Sequence, residues 1–467
     1  MVMEINTSKT LHFIGIGGSG MSPLAKICLK QGYKVTGSDL KESLNTITLK
    51  EAGAKIFYGH KSSNLREADI VVVSTAIQKD NPEYIAASQA KTILRRAEML
   101  DIIMRDHKKK IAVAGTHGKS TTTAMVARIL ETCKKNSTYV IGAELQDYGG
   151  NAAYGTGPYF LTEADESDGS FLCLHPNVGL LTNIESEHMD YYKNFKDLLD
   201  HFTKFIQKIL DVNGYLIINQ DDKHLVNLTS KIPKENLFSY SIENPSQVMA
   251  KNISFSSEGS SFQLFIDEKN QGEIHLKVFG RHNIYNALAA ISLGLQENLP
   301  LDLVKKALFN FSGTNRRFQQ IAQINNIVLY DDYAHHPTEI KVTLDAIKQS
   351  FPEKRIVCIF QPHRYTRTLD QLDNFPHAFN SSDITIITEI YAASEKKIAG
   401  ISGKLIADKI EKEKKLKSKF IEKKSDIANY LIPLLKENDL VITMGAGNIN
   451  YIAKELIARL KSKATAP

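Results

Sequence analysis

Along the chain, short apolar runs rich in Val and Ile are each followed by a turn signal and then by a helical pattern, as parallel β-α-β units read. Such runs lie at Leu11–Ile14, Ile70–Val73, Ile111–Ala114, Val178–Leu181, Arg355–Phe360, Ile384–Thr388 and Leu440–Thr443. They predict an α/β fold built on parallel sheets. Residues 244–277 break the rhythm: ISFSSEGSSFQLFI and EIHLKVF alternate polar and apolar positions, which predicts antiparallel strands as a small β-insert. The polar stretch Arg105–Lys110 and the segment Ser312–Phe318 each precede a fresh strand, so the expected domains are 1–107, 108–314 and 315–467.

Composition narrows the class. At 467 residues, 42% hydrophobic and 24% charged, the chain reads as ordinary globular protein of several domains. A net charge of +6 fits a Lys-rich surface around anionic small substrates better than nucleic-acid binding. The densest basic run, Lys409–Lys424, interleaves Glu without an aromatic ladder and reads as a solvated helix face. Cys28, Cys133, Cys173 and Cys358 form no CxxC pair, which argues against a zinc knuckle or disulfide framework. With no apolar leader and no membrane-length run, the expected location is the cytoplasm, without membrane or nucleic-acid partners.

The chemistry begins at Gly115-Thr116-His117-Gly118-Lys119-Ser120, between the strand Ile111–Ala114 and a helix from Lys119 to Leu130. Glycines let backbone amides converge on phosphate oxygens, and the helix N-terminus adds its dipole. Lys119 then reaches the terminal phosphates and the Ser120 hydroxyl ligates Mg²⁺. Position 113 is valine, so the first glycine of the general phosphate-loop pattern is missing.

A second loop, Gly15-Ile16-Gly17-Gly18-Ser19-Gly20, follows Leu11–Ile14, with Asp39 ending a second strand. Alone it would suggest an NAD- or FAD-linked oxidoreductase, although the same physics cradles any diphosphate, including that of a nucleotide-sugar. Two loops imply two phosphorylated ligands. Behind the first loop stand Glu163, Asp165, Glu166 and Asp168, then Glu185, Glu187, His188 and Asp190, at the ends of two further strands. Such groups suit Mg²⁺ and an attacking nucleophile, while Asp165, Asp168 and Asp190 equally suit helix caps.

Nine ordered stretches then carry a resemblance: HFIGIGGSGM (12–21), AGTHGKSTTTAM (114–125), EADESD (163–168), TNIESEHMD (182–190), GRHNIYNALAA (280–290), NRRF (315–318), DDYAHHPTE (331–339), QPHRYTRT (361–368) and MGAGNI (444–449). Over essentially its full length the chain resembles the Mur ligases of peptidoglycan synthesis. The resemblance implies a Rossmann-like domain for a UDP-sugar, a central ATPase domain, and a Rossmann-like C-terminal domain closing over the active site. The implied reaction joins L-alanine to the lactyl carboxylate of UDP-N-acetylmuramate with ATP and two Mg²⁺ ions, by way of an acyl phosphate, in a monomer or homodimer.

Residue by residue, it implies catalytic roles for Lys119, Glu163, His188, Arg317 and Asp332, with metal held by Ser120, Glu163 and His188. ATP falls to Gly115, Thr116, His117, Gly118, Lys119, Ser120 and Thr121, with Asn283 and Asn286 for adenine. The UDP-sugar falls to Gly15, Gly17, Gly18, Ser19, Gly20, Met21, Asp39, Ser74 and Thr75. Tyr333, His335, His363, Arg364 and Arg367 are implied around the amino acid and the carboxylate. Ser120 stands where threonine is commoner, and Ala334 where glycine is usual. The alanine brings in a relative that adds a recycled tripeptide to the same sugar as the nearest rival. A regulatory ATPase without ligase activity is a third reading.

Overall fold

The computed structural model describes residues 5–145, 150–189, 191–393, 395–414 and 417–464; Asp190 lies outside them. Three sheets account for the runs. The first holds β1 (Thr10–Ile14), β2 (Lys34–Asp39), β3 (Lys55–Tyr58), β4 (Ile70–Val73) and β5 (Thr92–Arg95) in the order β3-β2-β1-β4-β5, all parallel.

The middle sheet comprises β6 (Lys109–Ala114), β7 (Thr138–Leu145), β8 (Gly150–Ala153), β9 (Tyr159–Glu163), β10 (Val178–Leu181), β11 (Tyr215–Asn219), β12 (Leu237–Ser241), β13 (Val248–Ser256), β14 (Gly259–Ile266) and β15 (Lys269–Leu276). Its order is β15-β14-β13-β12-β11-β10-β6-β9-β7-β8, so β6 is flanked by two strands that follow it in the chain and sits at a switch point where ligands bind. The last sheet has β16 (Gln319–Ile324), β17 (Ile327–Asp332), β18 (Arg355–Phe360), β19 (Ile384–Ile387), β20 (Ser418–Phe420) and β21 (Asp439–Met444) in the order β16-β17-β21-β18-β19-β20.

Chain contacts divide the protein into two compact units, Met1–Lys251 with Leu264–Gly272 and Tyr285–Phe311, and Asn252–Gln263 with Glu273–Ile284 and Ser312–Pro467. In the first, the helix Lys119–Thr132 covers β6 through Met125, Val126, Ile129 and Leu130, all buried. At roughly 1.5–3 kcal/mol per buried side chain, that face fixes where the helix starts, and hence where Lys119 points. In the second, Ile356, Cys358 and Phe360 pack one face of the sheet, and Val357 and Ile359 the other.

The β-insert β13–β15 continues the middle sheet: β13 pairs parallel with β12, which would otherwise leave an unpaired edge. One expectation needs correction. The basic run 409–424 is not one helix face. The helix Gly403–Lys414 ends, and β20 pairs with β19 because Phe420 packs against the core. All four cysteines are free. Among the described residues, no helix is long and apolar enough to cross a membrane.

Candidate active site

The C-terminal ends of β6, β9 and β10 converge on the phosphate loop. Gly115 has φ +135°, and a Cβ there would lie 2.1 Å from Thr182 Oγ1; Gly118 has φ +84°, and its Cβ would lie 2.5 Å from Asn286 Oδ1. Both positions therefore require glycine, for the positive φ and for the close approach of Thr182 and Asn286 to the loop backbone. The loop is braced from β10. Thr182 Oγ1 donates to the His117 carbonyl at 2.6 Å, and Asn183 Oδ1 accepts from the His117 amide at 2.8 Å. The Thr116 hydroxyl accepts from the Glu185 amide at 2.8 Å.

Lys119 Nζ donates to the carbonyls of Gly115 (2.6 Å) and Thr116 (3.1 Å) and pairs with Glu166 at 2.8 Å. Burial alone would depress this ammonium, but Glu166, Asp165 and Glu163 together raise its pKa and keep it charged. Ser120 Oγ donates to Glu163 at 3.0 Å, and the Gly142 amide donates to the same carboxylate at 2.6 Å. Burial raises the Glu163 pKa, with these bonds and Lys119 as the opposing influences. A hydroxyl and an oxygen anion side by side at a helix N-terminus are the hard donors that Mg²⁺ takes, so the residues fit the metal. Glycines without room for a Cβ and a charged lysine likewise fit a nucleoside triphosphate.

His188 adopts φ +59°, and its Nε2 lies 3.6 Å from both Glu166 and Glu187. Asp165 and Asp168 accept from the Ser167 and Ser170 amides, so both cap turns. Asn286 is buried and accepts from Thr122 Oγ1 at 3.1 Å, while Asn283 donates to the Phe279 carbonyl. Thr121 follows Ser120 in the first turn of the helix.

At the first sheet, Gly17, Gly18, Ser19 and Gly20 run into the helix Met21–Lys30. Ser74, with Thr75 after it, directly follows β4 and lies beside Gly15. Both Asp39 oxygens are engaged, accepting from Gly17 (2.8 Å) and Leu40 (2.8 Å), which makes Asp39 an anchor of the loop. Arg96, which the sequence did not single out, lies beside this loop. It is half-buried, makes no hydrogen bond or ion pair among the described residues, and lies along Gly20, whose Cβ would meet Arg96 Cδ at 3.1 Å.

The second unit carries its own cluster. Asp332 accepts from the amides of Phe318 (2.6 Å) and Ala334 (2.7 Å); burial pushes it up to about 6, with Arg317 opposing. Tyr333 lies against two guanidinium groups, Arg316 at 5.1 Å and Arg317 at 5.5 Å, and Arg317 pairs with Glu339 at 3.3 Å. The His335 and His363 rings are 5.8 Å apart, and Arg367 reaches His363 Nδ1 at 3.2 Å. Burial, ahead of nearby charges, depresses His335 to about 3 and His363 to about 4. Arg364, at φ +70°, is followed by the helix Tyr365–Asp370, whose first amides, Tyr365 and Thr366, donate to Glu395 at 2.6 and 3.2 Å. Glu395 was missed because its partners lie thirty residues away and leave no local pattern; Glu166 was visible among the acids after β9, but its pairing with Lys119 was not.

A phosphate loop at the switch point of a parallel sheet, with a carboxylate against its hydroxyl, defines an enzyme that works on the phosphates of a nucleotide. The chain belongs to the Mur ligase family. Family models match it as "Mur ligase family, catalytic domain" at residues 10–108, "Mur ligase middle domain" at 113–294 and "Mur ligase, glutamate ligase domain" at 316–447. It is 42% identical over 454 residues to the UDP-N-acetylmuramate–L-alanine ligase of Persephonella marina, covering 97% of each chain. It is 43% identical over 458 residues to that of Desulforamulus reducens, covering 97% of this chain and 98% of the other. Its structure is similar to that of UDP-N-acetylmuramate-alanine ligase from Thermotoga maritima, with TM-score 0.82, 32% identity and coverage of 97% and 100%. A murein peptide ligase from Psychrobacter arcticus gives TM-score 0.69 at 25% identity, with coverage of 97% and 98%.

Proposed function

We propose that the protein is an ATP-dependent ligase that joins L-alanine to the lactyl carboxylate of UDP-N-acetylmuramate, in the cytoplasm, for peptidoglycan synthesis. The observation that carries it is full-length similarity, at about 40% identity, to relatives named for that reaction. Three domains, 1–107, 108–314 and 315–467, would take the UDP-sugar, ATP and the amino acid.

The lactyl carboxylate attacks the γ-phosphorus, giving an acyl phosphate and ADP. The alanine amine then adds to the acyl carbon, and the tetrahedral intermediate expels phosphate. Lys119 neutralises charge on the moving phosphoryl group. Ser120, Glu163 and His188 would hold Mg²⁺, two ions by our reading, and the bound metal would supply positive charge between the carboxylate and the γ-phosphate. Arg317 and Asp332 assist the phosphoryl group, and the guanidinium groups of Arg364 and Arg367 clamp carboxylates. A proton must leave the amine; His335 and His363 are neutral imidazoles in this cluster, and either would act as the acceptor only once a bound anion raises it from the values of about 3 and about 4 that burial imposes.

Ala334 is what favours the tripeptide-adding alternative, yet it is fully buried in the core of the second unit with its amide tied to Asp332, which supports a packing role for its methyl. Phosphate release should require UDP-N-acetylmuramate and L-alanine together. Turnover with the tripeptide but not with alanine would move the assignment to the recycling reaction.

A further inference from the structure

A buried polar cluster lies beneath the glycine loop of the first sheet, centred on Glu83 of the helix Pro82–Ala90. Its side chain is 0% exposed, and leaving a carboxylate there without partners would be costly. Four donors meet it instead. The Ser38 hydroxyl donates to Oε2 and His60 Nδ1 lies 3.3 Å from it; Asn64 Nδ2 and the Lys61 amide donate to Oε1. His12 Nε2 stands 3.6 Å from Oε2, while its Nδ1 bonds Thr36. Against the penalty of burial, the nearby His12 ring and the bonds from Ser38 and Asn64 hold Glu83 at about 2, so it stays ionised and accepts only.

What the cluster holds is the end of β2. The Ser38 carbonyl accepts from the amides of Gly15 (2.9 Å) and Ile16 (3.0 Å), and the next residue, Asp39, accepts from Gly17. Asn64 also binds the Gly59 carbonyl, and the Gly59 amide binds the Asp39 carbonyl at 2.8 Å. The amides that shape the loop are therefore anchored on two residues, one of which is gripped by Glu83 from below. An apolar side chain would fill the same space without fixing a hydroxyl.

We propose that Glu83 is a positioning residue for the nucleotide-sugar: through Ser38 it sets the strand end on which Gly15–Gly17 are anchored, and so governs affinity for the UDP-sugar without touching it. This rests on the ligase reading above. In Glu83→Gln an amide NH₂ faces donors, and the anchor shifts.

The test uses the full-length protein, titrated calorimetrically with UDP-N-acetylmuramate without ATP and then assayed at steady state. Glu83→Gln should weaken binding and raise KM for the UDP-sugar roughly ten-fold or more, as expected for a lost charged hydrogen bond. The kcat and the KM values for ATP and alanine should stay within about two-fold. Ser38→Ala keeps the carbonyl anchor and removes only the link, so it should show the same selective loss, and it carries the test should Glu83→Gln fail to fold. Wild-type affinity in the variants, or a uniform loss across all three substrates, overturns the proposal. A wild-type protein that does not bind UDP-N-acetylmuramate overturns the ligase reading instead.

Discussion

Lys119 and Glu166 form an ion pair at 2.8 Å inside the phosphate loop, so the cation aimed at a nucleotide's terminal phosphates is held by an anion of the protein itself. Phosphate and Glu166 compete for one ammonium, and the outcome depends on which lies closer to it.

Replacing Glu166 by Gln removes the competitor. Binding of ADP in the presence of a chelator should tighten by about ten-fold, equivalent to about 1.4 kcal/mol. Lys119→Met should lower kcat by roughly 10²- to 10³-fold. Nucleotide titration and phosphate release measure the two effects, and weaker ADP binding by Glu166→Gln would contradict the competition.

Ser120 shares its hydroxyl with Glu163 at 3.0 Å. Ser120→Ala should raise the Mg²⁺ concentration for half-maximal activity by roughly 10- to 100-fold, whereas Ser120→Thr, which keeps the hydroxyl, should stay near wild type. Magnesium titrations of the ATP-dependent rate distinguish the two, and an unchanged requirement in Ser120→Ala would remove the residue from the metal site.

Acid should weaken the C-terminal unit. Burial holds His282, His335 and His363 at about 4, 3 and 4, below the 6.5 of an unfolded chain. Between those values the unfolded state takes up protons that the folded state refuses, so this stability is complete above pH 6.5 and lost as pH falls. Asp332, raised from 3.8 to about 6, runs the other way and loses stability as pH rises through that window. Three imidazoles outweigh one carboxylate. Replacing His282 by Asn should recover about 3 kcal/mol of the loss near pH 4, read by urea unfolding followed by circular dichroism. Equal pH slopes in the variant and the wild type would refute this.

Glu395 caps the helix behind Arg364 from thirty residues away. Glu395→Gln should raise KM for alanine roughly ten-fold while KM for ATP stays put, because a charge-assisted cap is lost where Arg364 and Arg367 are aimed. Steady-state kinetics with each substrate varied in turn would show it, and a change confined to ATP would refute it.

Both glycine loops could be read in the sequence because a strand, a tight turn and a helix start are consecutive residues. The acids after β9 were equally visible, but not their division of labour: that Glu163 meets Ser120, Glu166 meets Lys119, and Asp165 and Asp168 cap turns depends on side-chain directions. Asp39 was visible by its spacing from the second glycine loop, but not that one of its oxygens accepts from the Gly17 amide within that loop. Glu83 and Ser38 are 45 residues apart, and only the placing of the helix Pro82–Ala90 beside the end of β2 joins them. Likewise Phe420 looked like part of a charged run until β19 offered it an edge.

The brace that Thr182 and Asn183 place on His117 means that the phosphate loop takes its shape from a neighbouring strand and not from its guest. Nucleotide then meets a receptor that is already ordered, and little configurational entropy is lost on arrival. Small rigid competitors shaped to the cradle share that advantage, and substitutions at Thr182 would blunt them and ATP alike without touching either.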